Sequence, residues 1–415
     1  MNIKYADFYD DRIHVWWREV KENFEEDILS NPKPPVLRLL KELIEGTFEY
    51  KRIEITESYR YEHNSNRADY RNGYYKRNWT TELGTIEELK VPRCRKQGIA
   101  KQIRKSYDKQ QNKIHGMLQR MFIAGVSTRR VEEVVRPFLG RSYSAQSISN
   151  ITKRLDEAVR EYHRRDLEDK YLYLFFDGIV LKGKDVLGAK KRMILCCHGI
   201  TAEGHREMID FSIGDSESEA DWLRLTNSLY NRGLIGKNVD LIIVDGSLGL
   251  RASLNMTYPE VDVQRCWVHK LRNISNYLKK VYREDCVSEA REIYLASNQK
   301  AAVKIFRRWE KKWKAKCPKA VECLKKDLND MLQFLTRPKQ HRVRIRTTNV
   351  IERTMREIRR RTRPMNGFTN DGSIHRIIYA IYDHMNRKWQ TKAIKGFKIE
   401  QTDRTPPASA MLKAA

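Results

Sequence analysis

The sequence predicts an α/β protein. Its mixed-sheet core is interrupted by an all-helical insertion and preceded by mainly helical N-terminal domains. Three observations carry this. From residue 171 the chain turns to strand, with apolar runs such as YLYLFFDGIVL and VDLIIVDG. Residues 271–340 place their apolar residues at helical spacing and show no strand signal. Before residue 166 the pattern is helical apart from one aromatic-rich stretch.

Taken in order, residues 11–50 read as helix broken at NPKPP. PPVLRLLKELIEG sets Val36, Leu39, Leu40, Leu43 and Ile44 on one face. Residues 70–93 carry aromatics, threonines, an NG pair and a central Gly84, which predicts short strands around turns. Basic residues interleave there with Tyr74, Tyr75 and Trp79. A sheet lying on a phosphate backbone and a half-buried hairpin share that pattern.

Residues 114–156 return to helix, with Met117, Met121 and Phe122 facing one way before a break at Ala124–Gly125. Ser127 is placed to cap the next helix, whose inner face is Val131, Val134, Val135 and Phe138. After the turn LGRSY, Ser144 caps another helix with Ile148, Ile151 and Leu155 inward. Helix, glycine-containing turn, helix is the order of a helix-turn-helix, and of an ordinary helical hairpin. In the DNA-binding reading, Gln146, Ser147, Asn150 and Lys153 face outward, and Arg129 and Arg130 join them as DNA contacts.

Strand-length runs follow at YLYLFFDGIVL, RMILCCHGIT and EMIDFSIGD, then a helix over 219–232. A buried strand ends at Asp245, GLRASLNMTY is a short helix, and VDVQRCWVH is a fifth strand. That order is a mixed sheet with its antiparallel strands first. In the insertion, Val303, Phe306, Trp309 and Trp313 recur at helical spacing, as do Val321, Leu324, Leu328, Met331, Leu332 and Leu335. The two tryptophans read as core; stacking on an unpaired base is their other use. The predicted divisions are 1–105, 106–165, 166–270, 271–340, 341–400 and a disordered tail, 401–415.

Lys and Arg outnumber Asp and Glu 81 to 54, a formal charge of +27, which suits a polyanion and above all nucleic acid. No run of eighteen apolar residues exists, so a membrane-spanning helix is not expected. The seven cysteines form neither a disulfide framework nor a C-x-x-C zinc pair, which points to the reducing cytoplasm.

Two aspartates stand where buried strands end: Asp177 after LYLFF and Asp245 after LIIV. Each precedes glycine, so a turn preference explains either one alone. Their strand order matters more, because the first and fourth strands of such a sheet lie side by side. Glu352 adds a third carboxylate on a helix beginning near Asn349. Hard cations such as Mg²⁺ take oxygen ligands, and a pair of them activates the attacking oxygen and stabilises the leaving one at a phosphodiester. Positions 352, 356 and 359 share a helical face, so Arg356 and Arg359 are placed to hold the DNA backbone beside that glutamate. Arg353 and Arg360 complete the basic set, and Glu357 lies off that face as an ordinary surface residue. Cys266 and His269 form a C-x-x-H, half of a zinc pattern with no second half in view.

The motifs AGVSTRRVEEVV, FFDGIVLK, VDGSLGL, QRCWVHKLRN and TTNVIER…RRRTRPMNGF, in this order and spacing, resemble the Mutator-type transposases of bacterial insertion sequences. The resemblance covers about residues 30–400. It implies an RNase H-like catalytic core with a helical insertion before its glutamate, and an acidic triad on Asp177, Asp245 and Glu352. It further implies two Mg²⁺ or Mn²⁺ ions and DNA partners, namely terminal inverted repeats and target. A homodimer on paired ends, copy-out, paste-in movement and a nucleoid location belong to the same expectation, with no small-molecule substrate and no membrane. It makes Cys266 and His269 a signature pair, structural or DNA-contacting near the active site. A non-catalytic DNA-binding regulator and a different RNase H-like nuclease, such as a junction resolvase, are the competing readings.

Overall fold

The computed structural model describes residues 31–397 apart from 63, 64, 66, 97, 186, 187, 366 and 369. The helix predicted before NPKPP and the predicted tail lie outside the described residues. The chain forms two compact units, divided between Lys153 and Arg154.

In the first unit, α1 (Lys33–Thr56) opens on prolines in its first turn, where their missing N–H groups cost nothing. Its inner face is Leu37, Leu40, Ile44 and Phe48, which pack with Trp79, Ile86, Leu89 and Val91 of a β-hairpin. Val36 and Leu43, predicted on that face, are exposed; the buried stripe is offset by one residue. The hairpin is longer than predicted: β1 (Arg71–Thr81) and β2 (Gly84–Cys94) pair antiparallel across one tight turn. Gly73 of the NG pair is not at that turn but at a register shift, with φ at 67°. Trp79 is buried against the helix while Tyr74 is exposed, so the hairpin is half-buried.

Helices α2 (Gly98–Ile123), α3 (Thr128–Leu139) and α4 (Ala145–Thr152) share a core of Ile114, Leu118, Val131, Val135, Leu139, Tyr143, Ile148 and Ile151. Residue 105 therefore falls inside a helix. The predicted caps form: Ser127 accepts from the Arg130 amide and Ser144 from the Ser147 amide. Val134 and Phe138 do not face inward as predicted; they are exposed, because the 131–135–139 row occupies the core side. Leu155 lies beyond α4, half-buried in a 3-10 turn.

The second unit opens with α5 (Asp156–Arg164) and holds a five-stranded mixed sheet in the order β5-β4-β3-β6-β7. β3 (Tyr171–Asp185), β4 (Gly188–Thr201) and β5 (Arg206–Gly214) are antiparallel neighbours; β6 (Leu241–Val244) and β7 (Val263–Arg265) add on parallel. Parallel pairing needs crossovers, supplied by α6 (Glu219–Asn231) and α7 (Leu248–Thr257). Trp222, Leu225 and Leu229 of α6 and Leu250 and Leu254 of α7 bury against Leu174, Phe176, Leu195 and Ile242.

Two strand predictions need correction. β3 does not end at Asp177 but runs eight residues further, to Asp185, as a ribbon with β4. The fifth strand is only three residues long, because Cys266 already caps α8 (Trp267–Asn276).

The region after β7 is helical throughout: α9 (Lys280–Leu295), α10 (Gln299–Trp313), α11 (Pro318–Lys326) and α12 (Leu328–Leu332), with a 3-10 turn to Thr336. Trp309 and Trp313 are core, each 2% exposed, and their indole N–H groups donate to Cys286 O and the Glu289 carboxylate. Three helices close the unit: α13 (Lys339–Ile345), α14 (Asn349–Thr362) and α15 (Asp371–Gln390). α15 packs on β5, where Asn386 brackets the backbone of Met208. No helix among the described residues is long and apolar enough to cross a membrane.

Candidate active site at the end of strand β6

Phe176 of β3 stands opposite Val244 of β6 in parallel register. The next residue on each strand is an aspartate, so Asp177 and Asp245 emerge as neighbours. β6 stops there because the Asp245 carboxylate accepts the Ser247 amide at 2.9 Å and Gly246 takes φ 116°, a turn that ends pairing. Arg265 braces this turn by donating to Gly246 O at 2.9 Å. Asp177 is 9% exposed, and its carboxylate accepts the Gly178 amide at 2.8 Å. Burial, then the charge of Asp245, pushes the Asp177 carboxyl up to about 7; His269 and the Gly178 amide oppose that rise.

Two further groups reach these aspartates. Glu217, half-buried, sits against Gly178 so closely that a Cβ at 178 would collide with its carboxylate. Burial and Asp245 raise its pKa. His269 is pushed up to about 8, chiefly by its hydrogen bond with Cys266 and against burial, with Asp177 and Asp245 adding to the rise. Its Nδ1 is buried without a hydrogen-bond partner. Sequence reading missed Glu217, because SESEA carries no strand-end or motif signal.

Glu352 lies in the first turn of α14, half-buried, its amide bonded to Thr348 O at 3.0 Å. α14 packs on β3. Cys266 links the two regions. Its amide donates to Val244 O at 2.8 Å, and its Sγ accepts from Thr348 N at 3.3 Å and Thr348 Oγ1 at 3.4 Å. Among the described residues, no three His, Cys, Asp or Glu side chains stand close enough together to hold a metal ion. The structure thus brings Asp177 and Asp245 together, with Glu217 and His269 beside them, and does not close Glu352 onto the same point. The donor set still fits a hard divalent cation. Neighbouring carboxylates, here buried Asp177 and half-exposed Asp245, repel one another, and a cation with oxygen preference relieves that repulsion. Cys266 is fully buried, and its sulfur is bonded to Thr348 and to His269.

The family model described as Transposase, Mutator family matches residues 19–392. The chain belongs to the Mutator family of transposases. It is 32% identical over 376 residues to the transposase for insertion sequence element IS256 in transposon Tn4001 of Staphylococcus aureus, spanning 89% of this chain and 93% of that one. It is 30% identical over 362 residues to the transposase for insertion sequence element ISRM5 of Rhizobium meliloti (strain 1021), spanning 87% and 90%. The transposase for insertion sequence element IS905 of Lactococcus lactis matches at 31% over 335 residues.

In this Mutator-family chain the remaining predicted residues fall on exposed positions. Arg353, Arg356, Arg359 and Arg360 are exposed along α14. Arg360 is paired with Glu357 at 2.7 Å. Glu357 is not an ordinary surface residue, since it is half-buried and also pairs with buried Arg361 at 2.9 Å. In the first unit, Arg129, Arg130, Gln146, Ser147, Asn150 and Lys153 are all exposed. Gln146 donates to Asn150 at 3.2 Å, so these two present one amide pair on the outer face of α4.

Proposed function

We propose that this Mutator-family member is a metal-dependent DNA transposase that cuts the ends of an insertion sequence and joins them to a target. The observation that carries the proposal is the parallel register that sets buried Asp177 beside Asp245, with Asp177 raised to about 7. Asp177, Asp245 and Glu352 would hold Mg²⁺ or Mn²⁺, two ions, on a core of RNase H-like type. Bound there, the ions supply positive charge for both the attacking and the leaving oxygen of a phosphodiester.

The chain's own residues have the remaining tasks. The α14 arginines, Arg356 and Arg359 foremost, grip the backbone and orient the scissile phosphate beside Glu352. His269, protonated around neutral pH, offers a cation at the rim of the acidic pair. Two in-line displacements then follow at one site: water opens the bond at the element end and frees a 3′-hydroxyl, and that hydroxyl attacks a second phosphodiester. The first unit reads the terminal inverted repeats with Arg129, Arg130 and the outer face of α4. The protein acts as a homodimer on paired ends, by copy-out, paste-in movement, on the nucleoid in the cytoplasm.

The test is incubation of the full chain with its element-end DNA and Mg²⁺, with nicks and joined products mapped. End-specific nicking and joining that Asp245→Asn and Glu352→Gln both abolish is the expected result. Movement that survives both substitutions would sink the mechanism.

A further inference from the structure

Thr348 is the N-cap residue of α14, yet its hydroxyl makes no capping bond. Threonine is favoured at that position because its oxygen accepts an amide of the first turn. Here the hydroxyl instead donates to Cys266 Sγ at 3.4 Å, and the Thr348 amide donates to the same sulfur at 3.3 Å. Both residues are fully buried. Cys266 in turn holds β6, its amide donating to Val244 O at 2.8 Å, one residue before Asp245. The next peptide repeats the link, with Trp267 N donating to Arg346 O at 3.1 Å. From Thr348, the carbonyl accepts the Glu352 amide at 3.0 Å. A continuous path of hydrogen bonds thus runs from the residue before Asp245 to the backbone of Glu352, with a single sulfur at its centre.

We infer that Cys266 and Thr348 form a joint that fixes the Glu352 end of α14 to the Asp245 end of β6, making both of them positioning residues for the acidic site. The helical insertion separates these two ends by some hundred residues of chain, so no local backbone constraint fixes one to the other. Sulfur suits the task. It is large, accepts weakly from several donors at once, His269 as well as Thr348, and fills apolar space that a carboxylate could not occupy without cost. The site's third carboxylate therefore depends on a residue that touches neither substrate nor ion. This consequence for activity rests on the reading of Glu352 as a metal ligand; the joint itself does not.

The test compares full-length wild type with Cys266→Ala, Cys266→Ser, Thr348→Val and Glu352→Gln. Three readouts are taken: amide hydrogen exchange at residues 348–353, Mn²⁺ affinity by titration of free Mn²⁺, and nicking of element-end DNA. Removing partners that orient metal ligands weakens affinity or activity by about 10–100-fold. Cys266→Ala is expected to do so, to speed exchange at 348–353 and to leave exchange in β3 unchanged. Thr348→Val, nearly isosteric, should move each readout the same way but less, and Cys266→Ser should restore part of the loss. Unchanged exchange at 348–353 in Cys266→Ala overturns the joint. Faster exchange there with Mn²⁺ affinity and nicking intact, while Glu352→Gln abolishes both, overturns the positioning role. Should Glu352→Gln itself leave Mn²⁺ binding and nicking intact, the reading of the site falls, and the exchange result alone decides the joint.

Discussion

Phe176 and Val244 are paired in parallel register at the centre of the sheet, and each is followed by an aspartate. β6 ends at that point while β3 continues as a ribbon with β4. Asp177 is therefore enclosed by strand on one side and faces the end of β6 on the other. That asymmetry accounts for the difference in burial: Asp177 is buried within the sheet, whereas Asp245 sits in a half-exposed turn.

The burial has a cost that depends on pH. The Asp177 carboxyl rises from an ordinary 3.8 to about 7, so well below 3.8 it is protonated in both folded and unfolded chains. As pH climbs toward 7 the unfolded chain gives up its proton first, and folding stability falls; above 7 the full cost is present. Asp177→Asn should therefore stabilise the metal-free protein at pH 8, by up to about 4 kcal/mol, and bring little gain at pH 4. Chemical denaturation in chelator at the two pH values measures this. Adding Mg²⁺ should stabilise wild type and leave the variant unmoved.

Much of this was legible in the sequence, for identifiable reasons. The strand order followed from apolar runs broken by turn residues, and the adjacency of Asp177 and Asp245 followed from the strand order. The ribbon beyond Asp177 was hidden because LKGKD lacks the apolar alternation of a buried strand; it is held by pairing with β4 and by the Phe368 amide, which donates to Lys182 O at 3.1 Å. Helix faces were off by one residue at Val36, Leu43, Val134 and Phe138, since apolar residues at adjacent positions leave the choice of stripe to tertiary packing. Glu217 was invisible. Its closeness to Gly178 arises across a crossover, and nothing in its local sequence records that contact. The Cys266–Thr348 link was hidden likewise, its partners being 82 residues apart.

Trp309 is a structural anchor of the insertion. It is 2% exposed, donates to Cys286 O at 3.0 Å and packs on Phe306. Trp309→Ala should cost about 3–5 kcal/mol of stability, as large aromatic truncations in a core do. Binding of DNA by the fraction that remains folded should match wild type. A stable variant with weakened DNA binding would instead make the indole a stacking platform.

His198 gives the fold an acid-side weakness. It is 2% exposed among the rings of Tyr382 and Trp389, its Nε2 has no hydrogen-bond partner, and burial lowers its pKa to about 3. In the unfolded chain it titrates at its ordinary 6.5. Stability is thus unaffected by this group above 6.5 and falls as pH drops from 6.5 toward 3, by up to about 1.4 kcal/mol per pH unit. His198→Leu should gain about 2 kcal/mol relative to wild type on going from pH 7.5 to pH 5. Urea midpoints at the two pH values provide the check. His375, lowered by burial to about 4, remains in both proteins, so the acid limb is shallower in the variant and not abolished.

The arginines of α14 are not equivalent, and their pairing sorts them. Arg360 is held by Glu357 at 2.7 Å, and Arg361 is buried with the same glutamate at 2.9 Å. Arg356 and Arg359 lie exposed one and two turns beyond Glu352 on its own face. If these two grip phosphates, each releases about one counterion on binding, and each adds about 0.9 to the slope of log affinity against log salt. Arg356→Ala and Arg359→Ala should each lower that slope by about 1 and weaken binding at low salt. Arg360→Ala should change it less, because its charge is already partly spent within the protein. The loss should be similar for specific and random duplexes, since phosphate contacts carry no sequence information. Equal slopes in wild type and in both variants would remove the backbone clamp from α14, leaving Glu352 on a helix whose basic face serves only solvent.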